Sequence, residues 1–244
     1  RNYYSIPDSE VYTIEPSSEF YKQLIILTQN EQMSIFNGNL YGFYIDFGGS
    51  SDLHDLIIEM EIYVNFNYWK SYKRILKFIK FMLDGLSFLH ENKICHLDIK
   101  PENIIVNRAK KTYKIVDFGF ASKDPFIDFL RNTRGTPGYF PKQNEQTKYE
   151  PWLPPIKAND CIPGENGRAP MLNNVDMVYK IDSFCLGRVL FYLKYIYDNN
   201  KAYCCYNNEI DTGKLIDKII NTLTEDDVYK RLYILECRKK FFKE

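Results

Sequence analysis

Two stretches in the middle of the chain carry side chains spaced for chemistry. His96-Leu97-Asp98-Ile99-Lys100-Pro101-Glu102-Asn103 sets an acid, a lysine and an amide within six residues, and Asp117-Phe118-Gly119 follows fourteen residues after Asn103. Pro101 lacks an amide hydrogen and drives Lys100 out of the helical region, so Asp98 lies in a loop that is free to face a substrate. An ionised Asp there orients a hydroxyl and accepts its proton, while Lys100 offsets charge on a phosphoryl group in transfer. Asn103 and Asp117 are hard oxygen donors of the kind Mg²⁺ takes beside water and phosphate oxygens. The chemistry these groups suit is phosphoryl transfer.

Those residues need a frame. Residues 104–106 and 113–116 are short β-rich runs joined by a polar, basic connection, which predicts an antiparallel hairpin. With its register centred near Lys110, Asn103 stands opposite Asp117. Ahead of it, residues 72–92 place Ile75, Phe78, Ile79, Met82, Leu86 and Leu89 on one helical stripe that delivers the chain to the loop. Residues 178–197 are apolar on nearly every face and predict a central buried helix, in which the carboxylate of Asp182 needs donors. Residues 215–223 and 229–242 predict closing helices. Upstream, residues 11–14, 33–36 and 41–45 predict strands, the last two joined by an Asn37-Gly38 turn. Five of the eleven prolines fall in residues 144–175, an irregular insertion or substrate-side loop. Trp152 within it suits a loop anchor.

At 244 residues the chain can bury a sizeable core. Lys plus Arg and Asp plus Glu both number 32, so no net field favours nucleic acid or an anionic membrane, and neither is expected as a partner. Six cysteines lack metal-ligand or redox spacing, which predicts free thiols in a reducing compartment. No apolar run reaches membrane-spanning length. The expected location is the cytoplasm, or a host cytoplasm or virion if the abundance of Tyr, Phe, Ile, Asn and Lys reflects a viral source. The first residue is Arg rather than Met, so an upstream portion is expected.

The segment from His96 to Asn103, with Asp117-Phe118-Gly119 behind it, resembles the catalytic and metal-binding loops of the eukaryotic protein kinase family. Lys100 two residues after Asp98, and Gly135-Thr136-Pro137-Gly138-Tyr139 downstream, resemble its serine/threonine branch. The resemblance implies an α+β, bilobal kinase fold: a partial, mainly β small lobe and hinge over residues 1–47 and a mainly helical large lobe over residues 48–244. It implies ATP and Mg²⁺ as cofactors and a protein substrate phosphorylated on Ser or Thr. By the same resemblance Asp98, Lys100 and Thr136 are catalytic, Thr136 being a strut between the other two, and Asn103 and Asp117 hold metal. Ile45 is the gatekeeper, the Asp46 carbonyl and Gly48 amide bind adenine, and Ile105 belongs with the nucleotide contacts. Asp52 holds ribose or caps the following helix. Asp182 binds backbone amides of the catalytic loop, His96 packs under the site with Phe118, and His90 is a packing or helix-terminal residue.

The chain also departs from the family pattern. No glycine precedes Gly38 and Lys22 is the only lysine before Lys70, so the phosphate-covering loop and its strand lysine, which Lys22 with Glu19 fits poorly, are missing. Leu97 stands where many members carry Arg, which implies activity independent of phosphorylation of the activation loop, where Thr133 lies. Pro141-Lys142-Gln143 replaces Ala-Pro-Glu, so the partner expected for Arg231 is an amide rather than an acid. The alternative to a Ser/Thr kinase is a kinase-derived binding module without turnover, favoured by the short start and by Gln143. Transfer to a small molecule is a third reading, disfavoured by residues 135–139.

Overall fold

A computed structural model describes residues 49–62, 68–69, 71–123, 135–136, 138–139, 178–200, 210–225, 227 and 229–242, and the backbone of residues 7–14 and 40–45. Packing divides the chain into two units, residues 5–48 and a larger unit dominated by residues 49–244. The smaller unit pairs β1 (Pro7–Ile14) with β2 (Leu40–Ile45) antiparallel, Val11 opposite Phe43 and Ile14 opposite Leu40. The strand and turn predicted over residues 33–38 lie outside the described residues.

In the larger unit the elements run β3 (Ser51–Asp52), α1 (Leu53–Ile62), α2 (Tyr72–Glu91), a 3₁₀ turn (Pro101–Asn103), β4 (Ile104–Asn107), β5 (Thr112–Ile115), α3 (Tyr179–Asn199), α4 (Ile210–Leu223) and α5 (Ile234–Phe241). The small sheet has order β3-β4-β5, all antiparallel, and helices make up most of the rest. This is an α+β arrangement.

The stripe predicted for α2 is buried throughout, with Ile75, Phe78, Ile79, Met82 and Leu86 fully so. Phe78 and Phe81 reach across to Tyr113 of β5, with ring centroids 4.9 and 5.4 Å apart, and Trp69 meets Phe78 at 5.5 Å. Such pairs contribute about 0.5–1.5 kcal/mol each beyond area burial, and here they bind the hairpin to the helix.

The hairpin itself differs from expectation by one residue. Ile104 pairs with Ile115 and Asn107 with Thr112, and the Val116 amide donates to the Asn103 carbonyl at 3.0 Å. Asn103 therefore faces Val116, and Asp117 lies one step further on. The reason is the turn: Asn107 Oδ1 accepts the Lys110 amide at 2.9 Å and Lys111 takes a left-handed φ of 55°, which closes the loop without glycine.

Helix α3 is buried at every position from Lys180 to Leu190, as its composition predicts. Its two cations there reach main-chain acceptors, Lys180 Nζ donating to the Tyr229 carbonyl at 3.3 Å and Arg188 Nε to Gly138 at 3.0 Å. The last helix begins later than predicted, at Ile234 rather than residue 229. Asp227 is the cause: its carboxylate takes the Tyr229 amide and its carbonyl the Lys230 and Arg231 amides, all at 2.9 Å, which closes a separate turn. Glu236 then accepts the Tyr233 amide and opens α5.

Close approach of α3 to the end of α4 requires Gly187. A Cβ there would stand 2.5 Å from Thr224 Cγ2 and 3.0 Å from Leu223 Cβ. Gly187→Ala is therefore expected to lower stability by about 1–3 kcal/mol in chemical denaturation, despite alanine's better helix propensity. Thr224→Ser, which removes the nearest methyl, should restore part of the loss; a stabilised alanine variant would refute the close-packing account.

Candidate active site

Geometry at the loop starts from Asp182. Its side chain is fully buried, yet it accepts the His96 amide (Oδ2, 2.8 Å), the Leu97 amide (Oδ1, 2.8 Å) and a hydrogen bond from His90 Nε2 (2.9 Å), with the Cys95 thiol at 3.4 Å. Burial alone would push this carboxyl up; the His90 contact, the nearby His96 ring and the His96 amide overrule it and hold it below the usual range. A helix side chain thus clamps two consecutive loop amides. Leu97 needs that clamp, because it is a non-glycine residue at φ 65°.

The clamp aims Asp98, which is only 2 % exposed. Asn103 donates both amide hydrogens to it, one to the Asp98 carbonyl at 2.8 Å and one to Oδ2 at 3.0 Å. Lys100 Nζ lies 3.3 Å from Oδ2, and the Thr136 hydroxyl donates to Oδ1 at 2.6 Å while accepting from Lys100 Nζ at 3.1 Å. Asp98, Lys100 and Thr136 form a closed triangle. With its nitrogen committed to Asp98, the Asn103 amide must present its oxygen elsewhere.

Beneath them His96 is fully buried, and its ring meets Phe118 at 5.0 Å. Burial pushes its pKa below the usual value, so the ring is neutral near pH 7. Nε2 then carries the hydrogen to the Val116 carbonyl (3.1 Å) and Nδ1 faces the Asp98 amide (3.4 Å). The ring thereby ties the Asp98 loop to the end of the hairpin. Asp117 is exposed, has φ 61°, and accepts the Gly119 amide at 3.2 Å through Oδ1. Its left-handed backbone takes the chain out of the β5 ladder.

Among the nucleotide candidates, Asp52 and Ile105 are partners in the β3–β4 ladder, so the sheet brings them side by side. Asp52 Oδ1 accepts the Asp55 amide at 2.8 Å, the helix-capping arrangement. Gly49 runs so close to β4 that a Cβ would stand 2.3 Å from the Val106 carbonyl oxygen. Ile45 belongs to β2, and Asp46 and Gly48 lie outside the described residues, as do Lys22, Glu19, Thr133, Gln143 and Trp152. Arg231 is buried, donates to the Glu225 carbonyl at 2.9 Å and sits 4.7 Å from the Phe184 ring.

Sequence reasoning missed the role of His90. It reads as a helix-end residue in isolation, and only the fold brings its ring to Asp182. Cys95, Cys185 and Cys237 are free and buried, and burial pushes their thiols up, Cys237 to about 12, which makes them unreactive. Among the described residues no helix is long and apolar enough to cross a membrane.

Asp182→Asn replaces one acceptor oxygen by a donor against an amide or a ring nitrogen. A loss of about 2–4 kcal/mol is expected at pH 7 in denaturant titration. Because the folded carboxyl is held below its unfolded value, its contribution is present above about pH 4 and fades as pH falls through the folded pKa. The gap between wild type and variant should narrow below that pH; a constant gap would contradict the ionised clamp.

Residues 37–150 match the protein kinase domain family. A probable serine/threonine-protein kinase, HSL1 of Saccharomyces cerevisiae, is 33% identical over 67 residues, 28% of this chain and 4% of that protein. Myosin light chain kinase family member 4 of Mus musculus is 43% identical over 63 residues (25% and 16%). A probable casein kinase II subunit alpha homolog of Encephalitozoon cuniculi is 38% identical over 74 residues (29% and 23%). The aligned parts thus span 4% to 23% of these relatives' length. A solved structure, the ROP18 kinase domain in complex with AMP-PNP and sucrose, aligns with 96% of this chain and 57% of its own at a TM-score of 0.54 and 17% identity, a likeness of fold. The loop geometry, the fold and these matches agree: residues 37–150 match the protein kinase domain, and the aligned parts of the chain are similar to serine/threonine protein kinases.

Proposed function

We propose that this chain transfers the γ-phosphoryl group of ATP to serine or threonine hydroxyls of protein substrates. The observation that carries the proposal is the Asp98–Lys100–Thr136 triangle with Asn103 behind it. A carboxylate has about four lone-pair sites, and three are taken: Oδ2 by Asn103 and Lys100, Oδ1 by Thr136. One remains on Oδ1. A substrate hydroxyl placed there is oriented by Asp98 and gives up its proton to it as the phosphoryl group arrives. Lys100, fixed by two partners, supplies positive charge beside the transferring group without rotamer search.

Asn103 and Asp117 would hold Mg²⁺. The donor set fits: an amide whose nitrogen is committed to Asp98, and an exposed carboxylate just past the hairpin. When bound, the metal neutralises the charge of the ATP phosphates. Asp52 and Ile105, with Ile45, Asp46 and Gly48, are the positions proposed for the nucleoside. Leu97, buried in place of an arginine, offers a phosphorylated activation loop no cation, which supports activity without that modification.

The competing reading is a binding module without turnover. A closed triangle of this kind is more than docking requires, which favours catalysis. Asp98→Asn should lower phosphoryl transfer to a Ser/Thr peptide library by about 10²–10⁴-fold. Thr136→Ala should lower it by about tenfold, with Thr136→Ser restoring most of it, since one hydroxyl is worth on the order of one hydrogen bond to a charged group. Asp117→Asn should raise the Mg²⁺ concentration needed for half-maximal rate. Rates unchanged by Asp98→Asn would end the mechanism, and absent transfer in the wild type would favour the module.

A further inference from the structure

Away from the loop, the outer face of α2 and the β4–β5 turn enclose a groove of about 770 Å³. Its walls are strongly cationic. Lys73, Arg74, Lys77 and Lys80 come from the first half of α2, and Lys111 from the turn. The one acid lining it, Asp84, is already matched by Lys80 at 3.4 Å and Arg238 at 2.5 Å. Arg74 lies over the Tyr68 ring at 4.0 Å. Lys73, Lys77 and Lys111 are exposed and have no ion-pair partner among the described residues. The floor is apolar in part, from Phe81 and Tyr113.

Two features mark this as more than a solvated helix face. Formal net charge of the whole chain is zero, so the concentration of cations here is local. Helix α2 also has no acid in its first turn and carries Lys73 and Arg74 there, where its dipole is already positive. These cations weaken the helix end and sharpen the field over the groove.

We propose that this groove docks an extended, acidic peptide segment of a partner protein, with carboxylates alternating with apolar side chains. Lys73 to Lys80 rise about 10 Å along the helix axis, which three residues of extended chain also span. Carboxylates on one edge of such a strand meet the lysines, and the side chains between them settle on Phe81 and Tyr113. The docking uses none of Asp98, Lys100, Asn103 or Asp117, and it stands or falls separately from the proposed catalysis.

The test is fluorescence anisotropy of a labelled peptide alternating Glu with Leu against the full chain. Micromolar binding in low salt is expected, weakened at least tenfold by the double variant Lys73→Glu, Lys77→Glu, similarly by Lys111→Glu, and not at all by Asp98→Asn. Unchanged melting temperatures would show that the charge reversals leave the fold intact. A Glu-Ser peptide should bind several-fold more weakly. Equal binding of the Glu-Ser peptide, tighter binding of a phosphorylated but otherwise neutral peptide or of a single-stranded oligonucleotide, or no effect of the charge reversals would each overturn the proposal.

Discussion

A single buried carboxylate organises the larger unit. Asp182 projects from the most deeply packed helix of the fold, and two consecutive backbone amides of another segment converge on it. Neither side is content without the other. An ionised acid in that position needs donors to offset its lost hydration, and buried amides of a loop have no ladder to join. Their mutual satisfaction fixes the Asp98 loop relative to the core and holds Leu97 in a backbone region that its side chain disfavours. Asp98 follows directly, so its position is inherited from α3.

Around Asp98 the same logic is repeated with charge added. A carboxylate 2 % exposed is surrounded by an amide, an ammonium and a hydroxyl drawn from three places in the chain, and the hydroxyl also fixes the ammonium. Groups held this way keep one orientation, the preorganisation that the proposed phosphoryl transfer would use. His96 extends the network to Val116, coupling the loop to the hairpin that carries Asn103 and Asp117.

Helix α2 serves two surfaces. Its inner stripe seals the core and grips Tyr113, which sets the hairpin; its outer stripe, with the hairpin turn, forms the cationic groove. One helix–hairpin contact therefore shapes both the inner frame of the site and the outer basic wall.

What was legible in the sequence was whatever depends on neighbours along the chain. The periodicity of α2 and α3, the non-helical loop before Pro101, and the donor types at Asp98, Lys100, Asn103 and Asp117 are local properties, and the helices and loop stand where those patterns put them. Local patterns failed where a distant partner decided. Register in the hairpin turned on Asn107 and Lys111 closing a turn without glycine; the start of α5 turned on Asp227 stopping a turn early; the partnership of His90 and Asp182 joins residues 92 positions apart. The lysines of α2 meet the β4–β5 turn only in the fold, because nothing in that helix announces that a β-turn will rise beside it. Residue type and short-range spacing determined which chemistry the chain can do. Only the tertiary structure decided which groups meet, because a buried charge or amide finds its partner through space, wherever packing of the core happens to bring one.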